Sequence, residues 1–254
     1  MAVTNATSRF SSRVEDYLRY RPGYPRDVIV LLATECGLTP NSVVADVASG
    51  TGIFTRLLLE NGSSVFAVEP NREMRAAGEE FLKGYGRFTS VAGSAEATTL
   101  PVHSVDMITA AQAAHWFDRR KARSEFVRIL KPGGWLVLLW NERKTEGTAF
   151  LRDYERLLLT YGTDYQEVRH ERTTSEIADF FAPSPFQTRT FRTCQECDYT
   201  ALEGRLLSSS YTPQPGHSGY RPMLGELRRI FEAHQIDQRV VLEYDTRVFY
   251  GQLA

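Results

Sequence analysis

The sequence is short of cysteine, lysine, net charge and long apolar runs. Its 254 residues include three cysteines, Cys36, Cys194 and Cys197. Three are too few for a disulfide framework, and they point to a reducing compartment. Cys194 and Cys197 have C-x-x-C spacing, but a zinc site needs two further ligands at matching spacing, and no metal site is expected. The pair also lies in a strand-like stretch, whereas a redox motif belongs at a helix start. No apolar run approaches the ~20 residues that span a bilayer. The first residues, MAVTNATSRFSSR, lack the apolar core of a signal peptide, so a cytoplasmic protein with no membrane partner is expected. The formal charge of −1 argues against a nucleic-acid partner. A hydrophobic fraction of 42% argues against a disordered chain. Lysine is scarce, 4 against 26 arginines. Genome composition accounts for most of that bias, yet guanidinium groups also suit a pocket for carboxylate or phosphate.

What is present is an alternation of short β-branched runs with amphipathic stretches. Ser42–Val47 reads as a buried strand and Ile53–Glu60 as a helix with Ile53, Phe54, Leu57 and Leu58 at helical spacing. Ser64–Val68, Phe88–Ala92, Val105–Ala110 and Trp135–Trp140 continue as strands. Asn71–Lys83 and a segment capped by Asp118 read as helices, with Lys131–Gly134 as a turn. Such alternation implies βαβ units and a parallel sheet covered on both faces. Val28–Cys36 reads as a helix, 146–182 as mostly helical, Phe186–Thr193 and Val240–Tyr250 as late strands, and a helix is expected near Met223–His234.

Asp46-Val-Ala-Ser-Gly50-Thr-Gly52 follows a strand and opens a helix. In an open α/β sheet the ligand sits beyond the carboxyl ends of the strands, and Gly50 and Gly52 let the backbone approach it. One strand–helix period later stands Glu69, placed to accept hydrogen bonds from a ribose. A nicotinamide dinucleotide site expects a third glycine where Thr55 stands. Asp46 is unfavourable beside pyrophosphate and favourable beside an ammonium. The loop therefore favours S-adenosylmethionine, a ligand with an ammonium, a sulfonium and no phosphate.

These residues, with Gly93-Ser-Ala-Glu96, Leu100-Pro101 and Ile129-Leu-Lys-Pro-Gly-Gly134, resemble the class I S-adenosylmethionine-dependent methyltransferases, in particular the small-molecule type 11 group. Arg21-Pro-Gly-Tyr-Pro25 and Gln112-Ala-Ala-His-Trp-Phe117 are similar to members related to trans-aconitate methyltransferase. Ala48 stands where the group more often has glycine. The resemblance implies an α/β fold with a Rossmann-like seven-stranded, mostly parallel sheet, helices on both faces, the last strand antiparallel, and a helical cap. It implies one domain over 1–254: an N-terminal lid and helix (1–40), a cofactor-binding core (41–141) and a cap (142–185 and 200–235). Ala48, Ser49, Gly50, Thr51 and Gly52 would hold the methionine part of the cofactor, with Asp46 near its ammonium and Glu69 on the ribose. Pro70, Asn71 and Met74 would pack beside the adenine, with Ser94, Ala95 and Glu96 at its edge and Gln112 near the methionine tail.

Methyl transfer from a sulfonium demands alignment more than acid–base help. His115 is the acid/base candidate. Tyr17, Tyr20, Arg21 and Trp116 are candidate acceptor contacts, with His170, Arg172, Tyr211, His217 and Arg221 as outer ones. The expected function is transfer of a methyl group to a small-molecule acceptor, an acid by analogy. The alternatives are a nicotinamide-dependent oxidoreductase and a non-catalytic S-adenosylmethionine-binding regulator.

Overall fold

A computed structural model describes residues 14–168 and 174–253. The most apolar runs form the middle of the sheet: β1 (Val43–Val47), β4 (Val105–Ala111) and β5 (Leu130–Arg143). β2 (Ser64–Val68) and β3 (Phe88–Val91) extend one side, and β7 (Val240–Gln252) and β6 (Gln187–Cys197) the other. The order is β3-β2-β1-β4-β5-β7-β6. β7 runs antiparallel to β5 and β6, and the remaining pairings are parallel. This is the Rossmann-like sheet the sequence implies. The order reverses between β1 and β4, which opens a crevice at their carboxyl ends.

Strand parity decides which side chains meet which helices. Ala45, Val47, Ile108, Leu136 and Leu138 face α5 (Arg119–Ile129) and α8 (Thr174–Phe181) through Phe126 and Phe180. Val44, Met107, Val137 and Leu139 face α2 (Asp27–Glu35) and α3 (Ile53–Glu60) through Leu32 and Leu58. Each such leucine, fully buried, contributes about 2 kcal/mol. α4 (Arg72–Leu82) joins the second face through Leu82. Asn71 and Asp118 cap α4 and α5 by accepting from the Met74 and Lys121 amides.

A third cluster lies beyond β5. α6 (Ala149–Tyr161), α9 (Tyr199–Leu207) and α10 (Tyr220–His234) share Tyr154, Leu202 and Leu227 and pack on Leu242 and Tyr244 of β7. α7 (Tyr165–Val168) follows α6, while α8 packs on the sheet with α5 rather than in this cluster. α1 (Val14–Tyr20) lies on α9. No helix among the described residues is long and apolar enough to cross a membrane.

Two elements differ from expectation. Lys131–Gly134, expected as a turn, lies within β5, where Val105 pairs with Leu130 but Met107 already pairs with Trp135. The extra residues bulge outward, with Gly133 at φ 78°. α9 was not foreseen; Asp198 starts it by accepting from the Ala201 amide at 2.8 Å. Cys194 and Cys197 lie in β6, three residues apart and so on opposite faces. Cys194 is exposed, and burial pushes the Cys197 thiol up to about 11, which disfavours its thiolate.

Gly204 is where α1 and α9 touch: a Cβ there would lie 2.1 Å from the Tyr20 ring. Gly204→Ala is therefore expected to lower stability by about 1–2 kcal/mol through overpacking. In a Tyr20→Ala background the same change is expected to raise stability by up to about 1 kcal/mol, the helix-propensity gain alone. Urea denaturation of the four proteins checks this change of sign.

Candidate active site

β1 delivers the chain to Ala48–Gly52, which turns it into α3. Ala48, Gly50 and Gly52 have φ of 54°, 58° and 84°. The left-handed turn costs Ala48 about 1 kcal/mol and costs glycine little. Gly52 also permits close packing, since a Cβ there would lie 2.6 Å from Leu82 Cδ1. Two bonds tie the loop to β2. The Ser49 amide donates to Val68 O at 3.2 Å, and the Gly50 amide donates to Glu69 Oε2 at 2.9 Å. Glu69 Oε1 accepts from the Asn71 amide at 2.8 Å. Glu69 is 7% exposed, and burial raises its pKa against those hydrogen bonds.

A cleft of about 520 Å³ opens over this edge. That volume is within the range of small-ligand sites. Glu69, Pro70, Asn71 and Met74 form one wall, and Ser94, Ala95 and Glu96 after β3 another. Glu96 Oε1 accepts from the Asp118 amide at 2.9 Å, which anchors the loop before α5. Ala48, Gly50, Gln112 and Trp116 close the side nearest β4. Gln112 is itself left-handed (φ 59°), and its Nε2 donates to Asn141 O at 3.0 Å. Gln112 Oε1 and Thr51 Oγ1 are buried without a hydrogen-bond partner among the described residues.

A smaller chamber joins the cleft at Tyr17, Ala48, Gly50 and Gln112. Ser49, Thr51, Arg21, Tyr24, Asn141 and Arg205 also line it. The Asn141 side chain donates to Gly23 O at 2.9 Å and so holds the N-terminal segment against β5.

Four expected site residues, Asp46, Tyr20, His115 and Gly52, lie elsewhere. Asp46 has the parity of Val44 and points beneath the loop toward α3, not into the cleft. Its oxygens accept from Thr55 Oγ1 at 2.5 Å and from Thr109 Oγ1, on the paired residue of β4, at 2.8 Å. Thr55, which replaces the third glycine of a dinucleotide motif, is thus a partner of Asp46. Tyr20 packs on Gly204 instead of lining either cavity. His115 lies in a single 3₁₀ turn, Ala114–Trp116, with its ring 4.6 Å from that of Trp116, and lines neither cavity. Gly52 faces α4. His217 and Arg221 are exposed, and Tyr211 packs on Tyr165 at 4.8 Å. His170 and Arg172 fall outside the described residues. Arg205 and Asn141 were missed by sequence reasoning. Asn141 directly follows the predicted strand Trp135–Trp140 on the ligand-binding edge, which was a usable signal; Arg205 offered none.

Residues 45–138 match the family described as a methyltransferase domain. An uncharacterized methyltransferase of Mycobacterium tuberculosis is 35% identical over 179 residues, which cover 70% of this chain and 66% of that protein, just under two thirds of its length. An uncharacterized methyltransferase-like protein of Schizosaccharomyces pombe is 35% identical over 61% of this chain and 59% of its own. Residues 45–138 are thus a methyltransferase domain, and the chain is similar to the class I S-adenosylmethionine-dependent methyltransferases. The fold agrees: a solved structure from Anaeromyxobacter dehalogenans, assigned as a type II methyltransferase, superposes with a TM-score of 0.67 at 21% identity, covering 92% of this chain and 98% of that one.

The residues of this methyltransferase domain fit the family's cofactor, S-adenosylmethionine. The left-handed loop brings backbone to the cleft wall, where a Cβ on Gly50 would meet Met74 Cε at 3.3 Å. The open lone pairs of Glu69 and the unpartnered Gln112 Oε1 are acceptors suited to hydroxyl and ammonium donors.

Asp46 carries a pH signature of its own. Burial, opposed by the two threonine hydroxyls, lifts its pKa to about 6. Its value in an unfolded chain is about 3.9. The folded form therefore holds the proton more tightly, and stability falls as pH rises through the window from about 4 to 6. Across that window the wild type is expected to lose about 3 kcal/mol relative to Asp46→Asn. Paired urea melts at pH 4.5 and 7.5 check it; parallel pH dependences would contradict it.

Proposed function

We propose that this chain transfers the methyl group of S-adenosylmethionine to a small-molecule acceptor, an organic acid methylated on a carboxylate oxygen. The observation that carries the reading is the cleft built around Glu69 at the strand-order reversal, with its left-handed loop and free acceptor atoms. When bound, S-adenosylmethionine supplies an electrophilic methyl and a good leaving group. The protein's work is binding, alignment and exclusion of water. In this reading Glu69 accepts from the ribose hydroxyls. Pro70, Asn71, Met74 and Ser94–Glu96 enclose the adenine, and Ala48–Thr51 with Gln112 hold the amino-acid end. Tyr17, which borders both cavities, and Trp116 shield the space between from water.

The acid acceptor is supported by the arginines beside the cleft. A carboxylate is ionised at neutral pH and requires no general base. His115, set behind the cleft lining, then keeps Trp116 in place and moves no proton. Three free cysteines support a cytoplasmic setting. The charge of −1 supports a small-molecule partner rather than nucleic acid.

Calorimetry is expected to show S-adenosylmethionine and its demethylated product binding and NAD not binding. Glu69→Ala should weaken binding by about 10- to 100-fold, the loss of charge-assisted hydrogen bonds, with Glu69→Gln in between. Binding of NAD alone would overturn the reading. With an acid acceptor found by screening, His115→Ala is expected to keep turnover at saturation within about threefold of wild type, without loss of a kinetic pKa near 6.5. Loss of that limb with a large fall in turnover would make His115 the base.

A further inference from the structure

Two arginines meet behind the cleft with no acid among the described residues to answer them. Tyr20 lies on Gly204, so the next residue of each segment, Arg21 after α1 and Arg205 within α9, reaches the same chamber. Arg21 Nη2 donates to Ser208 O at 2.9 Å, at the carbonyl end of α9, and its guanidinium lies over the Tyr17 ring. Arg21 Nε is buried without a hydrogen-bond partner among the described residues. Arg205 is 7% exposed and donates to Tyr244 Oη at 3.2 Å and to Ser209 Oγ at 3.0 Å. Every one of these acceptors is neutral. Neither arginine forms an ion pair among the described residues. Nearby Arg143 does, with Glu155.

Two buried like charges without a counterion are costly, several kcal/mol per ion in a site closed to water. Their field is felt around them. Burial and the Arg205 charge lower the Arg21 pKa, and the Tyr211 phenol, which burial alone would raise, is held below its ordinary value by Arg205, Arg21 and Arg143. The chamber has room for a small group, about 40 Å³, and joins the cleft at the Ala48–Gly50 loop. A planar anion of two oxygens matches the fork of donors that guanidinium groups present.

We propose that Arg21 and Arg205 form a carboxylate receptor at the closed end of the cleft. Placing it in the catalytic cycle rests on the methyltransferase reading. The carboxylate has two sources, the amino-acid end of the methyl donor or one carboxylate of the acceptor. A carboxylate held by two guanidinium groups has its lone pairs engaged and is a poor nucleophile. The receptor therefore anchors its ligand, and an acceptor anchored here reacts through a second carboxylate.

The test is calorimetry on the full chain. The probes are S-adenosylhomocysteine and its decarboxylated analogue, which keeps the ammonium, and then citrate and succinate titrated into enzyme saturated with S-adenosylhomocysteine. If the donor is the source, wild type prefers S-adenosylhomocysteine over the analogue by at least about 30-fold, and Arg21→Gln and Arg205→Gln cut this preference below about threefold. If the acceptor is the source, that preference is the same in all proteins, but the variants lose at least about tenfold in affinity for citrate or succinate. Variants that fold, by circular dichroism and cooperative melting, yet alter neither quantity overturn the receptor. If Arg205→Gln does not fold, Arg21→Gln decides, with Arg21→Lys expected to restore charge but not the full preference. If S-adenosylhomocysteine fails to bind while citrate or succinate raises the melting temperature only when both arginines are present, the receptor stands and the methyltransferase reading fails.

Discussion

The site depends on one carboxylate that serves two loops at once. Glu69 directly follows β2, and its two oxygens accept the amide of Gly50 in the loop after β1 and that of Asn71 before α4. Asn71 in turn caps α4 through the Met74 amide at 2.8 Å. The turn, the strand end and the helix start are thereby fixed relative to one another. Burial makes the tie costly, as the raised Glu69 pKa records, and the two amides offset that cost. Each oxygen accepts one amide and has capacity for a second donor, and Glu69 lines the cleft, so the group that builds the wall also offers an acceptor to a ligand.

The opposite wall is assembled from distant parts of the chain. Gln195 Nε2 donates to Tyr20 O, Arg21 to Ser208 O, and Asn141 to Gly23 O, so β6, α9 and β5 together hold the segment that follows α1. A net charge of −1 conceals this local field. Acids line the β2 side, at Glu69 and Glu96, and arginines the α1–α9 side. A ligand with separated hydroxyl or ammonium donors and a carboxylate complements both sides.

The βαβ half was legible because its signals are local. Apolar spacing located α3 at Ile53–Glu60 without error, Asp118 and Asn71 marked their helix starts, and β-branched runs gave β1, β2 and β4 to within a residue, whereas β5 begins five residues before and ends three residues beyond the expected Trp135–Trp140. Asp46 shows where local reading stops. Its place after a buried strand suggested a ligand contact, but parity points it at Thr55 and Thr109, a pairing visible only once β1 lies beside β4. Tyr20 was credited to the acceptor site with its aromatic neighbours, yet it packs on a glycine of a helix 184 residues later. That helix, α9, has Asp198 as a cap but a modest apolar face, and it brings in Arg205, whose role exists only through contact with the N-terminal segment.

The central claim is that the cleft around Glu69 is the nucleoside site of a methyltransferase. A crystal structure of the complex with S-adenosylhomocysteine tests it most directly. The account predicts both ribose hydroxyls within hydrogen-bond distance of the Glu69 carboxylate, with the adenine between Met74 and Ser94–Glu96. A nucleoside bound away from Glu69, or one whose ribose is held by other groups, would contradict it.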